Sequence, residues 1–432
     1  MRQGKAWKKL STPIIFYGWV VVGVSFLTVA LAYGVRYSFS VFYLAILDEF
    51  GWGRASTAAI FSINMLVYGL VAPLVGALID RFGPRRVISV GTSLVAFGAL
   101  LSSQAGQVWH LYLSFGLVMG LGVSFAGYPA HVPILSNWFS RRRATALGIG
   151  LAGIGISYLV APVAQYLISQ IGWRSAYAVL AGAVLVTTMP LVLLLQRTKP
   201  HNMGLLPDGE AASHAANSGM DADAGDPRQE WTLRQAMRTP QFWLLFAASF
   251  LSAGIGLSIL LAHQVRYAVD AGYSEVLAAA VFGLWGLAYA GGLASGFLAD
   301  LIERKWVYIM TCLLVLVAMV MLLWAGTGIS AWKLYFYAIL FGYGVGLNTP
   351  ACTAITADLF HGRNFGQINA FANSLAFGLG GGVGPWLAGW IFETGNSYLP
   401  AFLLSMAAWS MAAFCIWRVA ARTHRRLPES SS

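Results

Sequence analysis

The chain of 432 residues is 58% hydrophobic and only 10% charged, with a formal net charge of +11. A soluble domain averages about a quarter charged residues, so this composition excludes a water-soluble globule and makes lipid the solvent. A basic balance also fits nucleic acid, a reading that the placement of the basic residues decides below.

Residues 1–10 are basic but lack the small-residue cleavage site of a signal peptide, so the first apolar segment is predicted to stay as a membrane span. Apolar runs of roughly 20 residues or more can be drawn twelve times. In the first half they cover 16–46, 54–79, 86–105, 109–136, 142–169 and 174–196. In the second half they cover 240–270, 274–300, 305–327, 331–358, 364–392 and 398–421. Between the halves, 197–238 carries Pro200, Asp208, Glu210, Asp221, Asp223, Asp226 and Pro227 and reads as a flexible linker. The expected organisation is a tail (1–15), a six-helix bundle (16–196), the linker (197–238), a second six-helix bundle (239–421) and a tail (422–432).

Lys and Arg set the orientation. With the N-terminus in the cytoplasm, the inner segments hold nearly all of them, including Lys8, Lys9, Arg85, Arg86, Arg141, Arg142, Arg143, Arg304, Lys305, Arg425 and Arg426. The outer loops hold only Arg54, Arg174 and Lys333. This asymmetry puts both termini in the cytoplasm, in a multi-pass protein of the inner (plasma) membrane, with the basic residues facing anionic lipid. The nucleic-acid reading falls away. Cys312, Cys352 and Cys415 all lie in apolar runs, which gives neither a disulfide framework nor a metal site. No nucleophile elbow, phosphate loop or metal-ligand cluster points to an enzyme, and no cofactor is expected.

A charged turn, Gly76-Ala-Leu-Ile-Asp80-Arg81-Phe-Gly83-Pro84-Arg85-Arg86, separates the second and third apolar runs, and returns half a chain later as Gly296-Phe-Leu-Ala-Asp300-Leu-Ile-Glu303-Arg304-Lys305. Charges are costly in lipid, so both turns belong at a membrane surface. A repeat at half-length implies two related halves. Gly-rich fifth and eleventh spans, with Pro162 and Pro385, predict either a sliding or rocking seam or ordinary close packing. The spacing G-x-x-x-D-R-x-G-x-R-R resembles the loop 2–3 signature of the major facilitator superfamily. The resemblance implies an all-α membrane protein, twelve transmembrane helices in two pseudo-symmetric six-helix bundles around a central cavity. The two-fold repeat would bring Asp80 to the start of span eleven, around Asn364, and Asp300 to the start of span five, around Arg143. A carboxylate there is favoured by about 0.3–1 kcal/mol. Asp80, Arg81, Gly83, Arg85, Asp300, Arg304 and Arg143 are therefore candidate gating residues, latching the protein only while its cytoplasmic side is shut. The competing reading is simple topology charge.

Substrate contacts belong among polar residues inside spans. None of the sixteen acidic residues lies deep in a span. Arg36, in the outer half of span one, is costly there, by about 2.5–3.5 kcal/mol on insertion scales. It suits an anion, to which guanidinium offers a two-pronged donor; snorkelling to the interface is the alternative. Arg266 has Asp270 four residues on, which favours a local helix pair. His263 lies at a depth similar to Arg36 and could carry a proton or donate to an anion. It could equally be a packing histidine, and His131 is a similar case nearer the cytoplasm. Asn369 and Asn373 share one helix face, turned to the cavity or to another helix. Asn348, Thr349 and Thr353 carry the same ambiguity.

Two further stretches, Tyr17-Gly18-Trp19-Val20-Val21 and Trp138-Phe139-Ser140-Arg141-Arg142-Arg143-Ala144-Thr145-Ala146-Leu147-Gly148, resemble signatures of the monocarboxylate transporter family and its oxalate/formate antiporter relatives. That resemblance implies proton-linked or exchange transport of small carboxylates. The chain departs from it where the family often carries an Asp and an Arg in span eight, here Ala288 and Gly292, and it lacks the span-eleven Lys of oxalate exchangers. Arg36 sits one position out of register with the family's basic residue, whose place Tyr37 takes. Either Arg36 assumes the anchoring task, or the substrate is not a plain monocarboxylate. The expected function is secondary transport of a small organic anion by alternating access, with protons as a further partner and a monomer as the expected state. Arg36, Tyr37, His263, Asn369 and Asn373 are the candidate binding residues. The rival readings are proton-antiport export of amphipathic compounds and a non-transporting membrane sensor.

Overall fold

The computed structural model describes residues 16–140, 142–197, 200–203, 205–209, 231–360, 362 and 364–424, and these form helices with no strand. Eleven helices are long and apolar enough to cross a membrane. The first four are α1 (Tyr17–Phe50), α2 (Arg54–Phe82), α3 (Pro84–Ser102) and α4 (Val108–Trp138). Then follows one helical stretch, Thr145–Leu195, of 51 residues. At about 1.5 Å per residue it is more than twice the ~30 Å hydrocarbon core of a bilayer. Gly172 breaks it with φ 76° and ψ 159°, a backbone conformation essentially reserved for glycine. The stretch is thus two spans, α5 (145–171) and α6 (173–195), as the sequence predicts. The second half supplies α7 (Pro240–Asp270), α8 (Glu275–Phe297), α9 (Arg304–Ala325), α10 (Ala331–Leu359), α11 (Phe365–Gly395) and α12 (Leu399–His424). These are the twelve helices of two six-helix bundles.

The bundles meet along two main seams, α2 against α11 and α5 against α8. Each seam crosses near the middle of its helices at bare glycine. A Cβ on Gly69 would lie 2.5 Å from the Cα of Gly378, and one on Gly155 would lie 2.8 Å from the carbonyl oxygen of Gly286. Without side chains, the backbones touch directly. Gly153, by contrast, packs on the Phe26 carbonyl inside its own bundle, so the Gly-rich fifth span serves both seam and ordinary packing. Gly378→Ala is expected to destabilise the protein by about 1–3 kcal/mol through overpacking. A lowered melting temperature of the purified protein checks this. Gly148→Ala, at a position with open space around it, should leave the melting temperature in place.

The charged turns lie at one end of the bundles, here termed the basic face. Gly83, at φ 78°, turns α2 into α3, and Pro84 opens the new helix. Arg85 donates from Nε to the Gln196 carbonyl (2.6 Å), at the end of α6. Arg304 donates to the Ala354 carbonyl (2.8 Å) and pairs with Asp358, near the end of α10. Both arginines therefore hold their turn against a helix C-terminus of the same bundle, the end that favours cations. Arg81 lies over the Phe82 ring (5.1 Å). Asp80 is exposed and has no ion pair among the described residues, and Asn364 donates instead to the Trp231 carbonyl (3.0 Å). The side chains of Asp300 and Arg143 lie outside the described residues.

The start of the linker is no loose tether. The Asp208 carboxylate accepts from the Ser140 backbone N–H (2.9 Å), the Ser140 hydroxyl (2.8 Å) and the Arg142 backbone N–H (3.2 Å). The Trp138 indole donates to the Arg197 carbonyl (3.1 Å). The polar composition misleads here because a single carboxylate can satisfy several free N–H groups at a helix start, and so bind the chain to the first bundle.

Candidate functional site

Between the bundles lies a cavity of about 150 Å³ that opens to one side. Its first-bundle wall is tyrosine: Tyr33 and Tyr37 of α1, Tyr68 of α2, Tyr128 of α4 and Tyr158 of α5. The second-bundle wall mixes apolar side chains, Ala253, Leu257, Val345, Phe377 and Trp409, with small polar ones, and Tyr289 of α8 lies beside them. Ser249 and Ser252 come from α7, Asn348, Thr349, Cys352 and Thr353 from α10, and Asn369, Asn373 and Ser374 from α11. Both α7 and α11 are wound as π-helix where they pass the cavity, over Phe250–Leu257 and Ala370–Leu375. Such segments recur at functional sites.

Asn369 and Asn373 do face the cavity, and their polar atoms are organised. Asn373 accepts from Ser249 (2.6 Å) and Cys352 (3.2 Å), and donates to Asn369 Oδ1 (2.7 Å) and Thr356 Oγ1 (3.2 Å). This network fixes the amide and joins α7, α10 and α11. Asn348 turns its amide nitrogen outward to Thr311 of α9 (3.0 Å). Tyr37 stacks on Tyr158, with ring centroids 4.7 Å apart and planes 6° apart.

Arg36 is fully buried and does not snorkel. It sits one layer behind the tyrosine wall. Its guanidinium carbon lies 4.5 Å from the Tyr68 ring centre, 5.8 Å from those of Tyr33 and Tyr37, and 6.0 Å from that of Phe61. Its one polar contact is Nη2 to the Met65 sulfur, 2.7 Å, while Nε and Nη1 have no hydrogen-bond partner. Ring faces offset part of the cost of burying this charge, but no acidic group pairs with it among the described residues. In front of it, the Tyr33 hydroxyl donates to that of Tyr68 (3.0 Å) and closes the wall. A buried cation with free donors and no counter-charge is a site electrostatically prepared for an anion.

The span-eight positions that depart from the family pattern are packing positions here. A Cβ on Gly292 would lie 2.3 Å from the Tyr343 carbonyl of α10, and one on Gly342 of α10 would lie 3.0 Å from the Ala288 side chain. No long side chain fits at 292 without parting α8 from α10.

His263 does not line the cavity. It belongs to the closure of the opposite end of the bundles, the far face. Its Nε2 meets the Pro385 carbonyl (2.8 Å) and its Nδ1 the Tyr398 hydroxyl (3.2 Å). A carbonyl only accepts, so Nε2 carries the proton and Nδ1 accepts from Tyr398. Sequence spacing shows depth but not which side of the helix meets a neighbour, hence the missed assignment. His131 is held the same way, by Ser25 (2.9 Å) and the Ala126 carbonyl (3.2 Å).

Around His263 the far face is latched across the bundles. Arg54 of α2 pairs with Asp270 of α7 (2.6 Å) and donates to Tyr398 (2.9 Å). Arg266 makes the expected local pair with Asp270 (2.9 Å) but also reaches Asp48 of α1 (2.9 Å). Glu393, near the end of α11, accepts from the Ala55 N–H in the first turn of α2 (2.9 Å), and Gln165 of α5 donates to Glu275 of α8 (2.7 Å). At the basic face no hydrogen bond or ion pair joins the bundles among the described residues. The spread of outer charges in the sequence gave no sign of this latch, because its partners lie far apart along the chain.

Comparison with known proteins agrees with this architecture. The family model of the Major Facilitator Superfamily matches residues 25–326 and 289–432. Human monocarboxylate transporter 11 is 30% identical over 400 residues, covering 90% of this chain and 80% of the relative. Rat monocarboxylate transporter 13 is 28% identical over 404 residues, covering 90% and 86%. A crystal structure of a bacterial homologue of the human lysosomal transporter Spinster, described as inward-facing and unoccupied, superposes with a TM-score of 0.68 at 15% identity over 96% of this chain and 99% of that one. That likeness concerns the fold alone. The chain belongs to the major facilitator superfamily of membrane transporters and, within it, is similar to the monocarboxylate transporters.

Proposed function

We propose that this transporter moves a small organic anion, of monocarboxylate type, across the inner (plasma) membrane by alternating access. The observation that carries the reading is Arg36: buried, encircled by rings, and holding free donors with no acidic partner. The names of the relatives support the same substrate class. With the basic face in the cytoplasm, as the distribution of Lys and Arg favours, the latched far face and unlatched basic face correspond to an inward-facing state. Asp80, Arg81, Gly83, Arg85, Asp300, Arg304 and Arg143 then serve the opposite state, in which the basic face shuts. Tyr37, Asn369 and Asn373 shape the cavity, and His263 acts in the far-face closure rather than on substrate. Energy comes from ion or substrate gradients, by proton coupling or by anion exchange.

Uptake of labelled lactate, pyruvate, oxalate and larger carboxylates into proteoliposomes, with and without an inward proton gradient, tests the proposal. Gradient-driven uptake is the result for a symporter, and uptake requiring internal anion is the result for an exchanger. No carboxylate flux in folded, reconstituted protein would sink the reading and favour export of amphipathic compounds or sensing.

A further inference from the structure

The cavity is lined mainly by rings, with polar groups set among apolar ones on the second-bundle wall, in a way that a short aliphatic acid does not use. Rings line both seams. Tyr158, stacked on Tyr37, also meets Trp285 (5.1 Å) and Phe282 (5.2 Å) of α8 across the α5–α8 seam. Tyr68 meets Phe377 edge-on (6.1 Å) across the α2–α11 seam. Aromatic rings offer flat faces and polarised edges to a flat ligand. The facing wall offers hydroxyl and amide groups, among them Asn369 and Thr353. Behind the rings waits the Arg36 guanidinium, with Nε and Nη1 free. Rings and polar groups thus share one space, with a cation one layer behind it. A three-carbon acid would satisfy the cation but reach few of these rings, and unmade contacts are lost binding energy.

We infer that the substrate is a ring-bearing carboxylate with a polar substituent at its far end, a hydroxylated aromatic acid, rather than a short aliphatic one. This rests on the reading of Arg36 as the anion anchor. In the bound state the carboxylate parts the Tyr33–Tyr68 hydroxyl pair and takes donors from both hydroxyls and from Arg36. The ring lies against Tyr158 and Tyr37, and the distal hydroxyl meets the α10–α11 wall. A flat ring is bound by faces and edges, so removal of one ring costs aromatic ligands far more than aliphatic ones.

The test is equilibrium binding of 4-hydroxybenzoate, benzoate and lactate to the purified full chain, in wild type, Tyr158→Phe and Tyr158→Leu, each shown to be monodisperse. In wild type, 4-hydroxybenzoate is expected to bind more tightly than benzoate, and benzoate at least tenfold more tightly than lactate. Tyr158→Leu is expected to weaken both aromatic acids about tenfold and so to reduce their preference over lactate. Tyr158→Phe, which keeps the ring, should retain the preference. Lactate binding as tightly as the aromatic acids, or an aromatic preference untouched by Tyr158→Leu, would overturn the inference and leave the anion reading standing. Absence of binding by all three acids in monodisperse wild type would overturn both.

Discussion

Arg36→Met is expected to abolish carboxylate binding and, at the same time, to raise the melting temperature of the ligand-free protein. The two effects have opposite signs for one reason. In the free protein the guanidinium is fully buried with one sulfur contact and a ring of π-faces. A buried Arg costs about 2.5–3.5 kcal/mol on insertion scales, and its cation–π contacts return about 0.5–2 kcal/mol. Methionine fills a similar unbranched volume without the charge, so a net gain of about 0.5–3 kcal/mol should appear as a higher melting temperature. On the proposed reading the bound carboxylate would have Arg36 as its charged partner, and removing one side of a buried pair costs about 3–5 kcal/mol. That corresponds to roughly a 100- to 4,000-fold loss of affinity. Binding and thermal melting measured on one preparation check both halves. Retained binding would place the anion elsewhere. A fall in melting temperature would make Arg36 a structural post held by its rings.

The second large effect is expected from Asp270→Asn. Asp270 receives Arg54 from the first bundle and Arg266 from its own helix, and the Arg54–Tyr398–His263–Pro385 chain of hydrogen bonds leads away from it. Exposed ion pairs contribute about 0–1 kcal/mol each, but here the pairs are linked and partly covered, with the Arg54 side chain 17% exposed. A loss of about 1–3 kcal/mol from the far-face closure would shift the balance of states about 5- to 150-fold. Distances between spin labels on exposed far-face residues, such as Gln170 and Thr394, report it. The expected result is a longer-distance population in the variant. An unchanged distribution would mean that Glu393, Gln165 and the glycine seams hold the far face without the arginines.

Much of this was legible in the sequence. Apolar run length marks out twelve spans, and the division between 169 and 174 holds because Gly172 takes a conformation that other residues avoid. The two charged turns and the similarity to monocarboxylate transporters are carried by short stretches of residues, which linear reading finds easily. Depth along a helix is also linear, so Arg36 stands out. Its setting does not, because Tyr68, Phe61 and Met65 come from another helix, and only packing reveals that the guanidinium has no acidic partner. His263 shows the same limit from the other side: its depth resembles that of Arg36, yet both ring nitrogens are bound by α11 and the start of α12. Arg54, counted only as an outer-loop charge, turns out to join the bundles across more than two hundred residues of chain.

The contact between Gly69 and Gly378 has the geometry of a fulcrum. It lies near mid-helix on both α2 and α11, so the helices form two lever arms of similar length. Each helix carries an acidic residue near its C-terminal end, Asp80 on α2 and Glu393 on α11. Glu393 already engages the first turn of α2 at one end of the beam, while Asp80, whose expected partner is the first turn of α11, stands free at the other. A tilt of about 20° around such a point moves a helix end ~15 Å away by about 5 Å, enough to make one contact and break its counterpart. In the proposed alternating cycle the pair would act as a see-saw whose seats cannot both be down, and simultaneous opening of the two faces would be self-limiting.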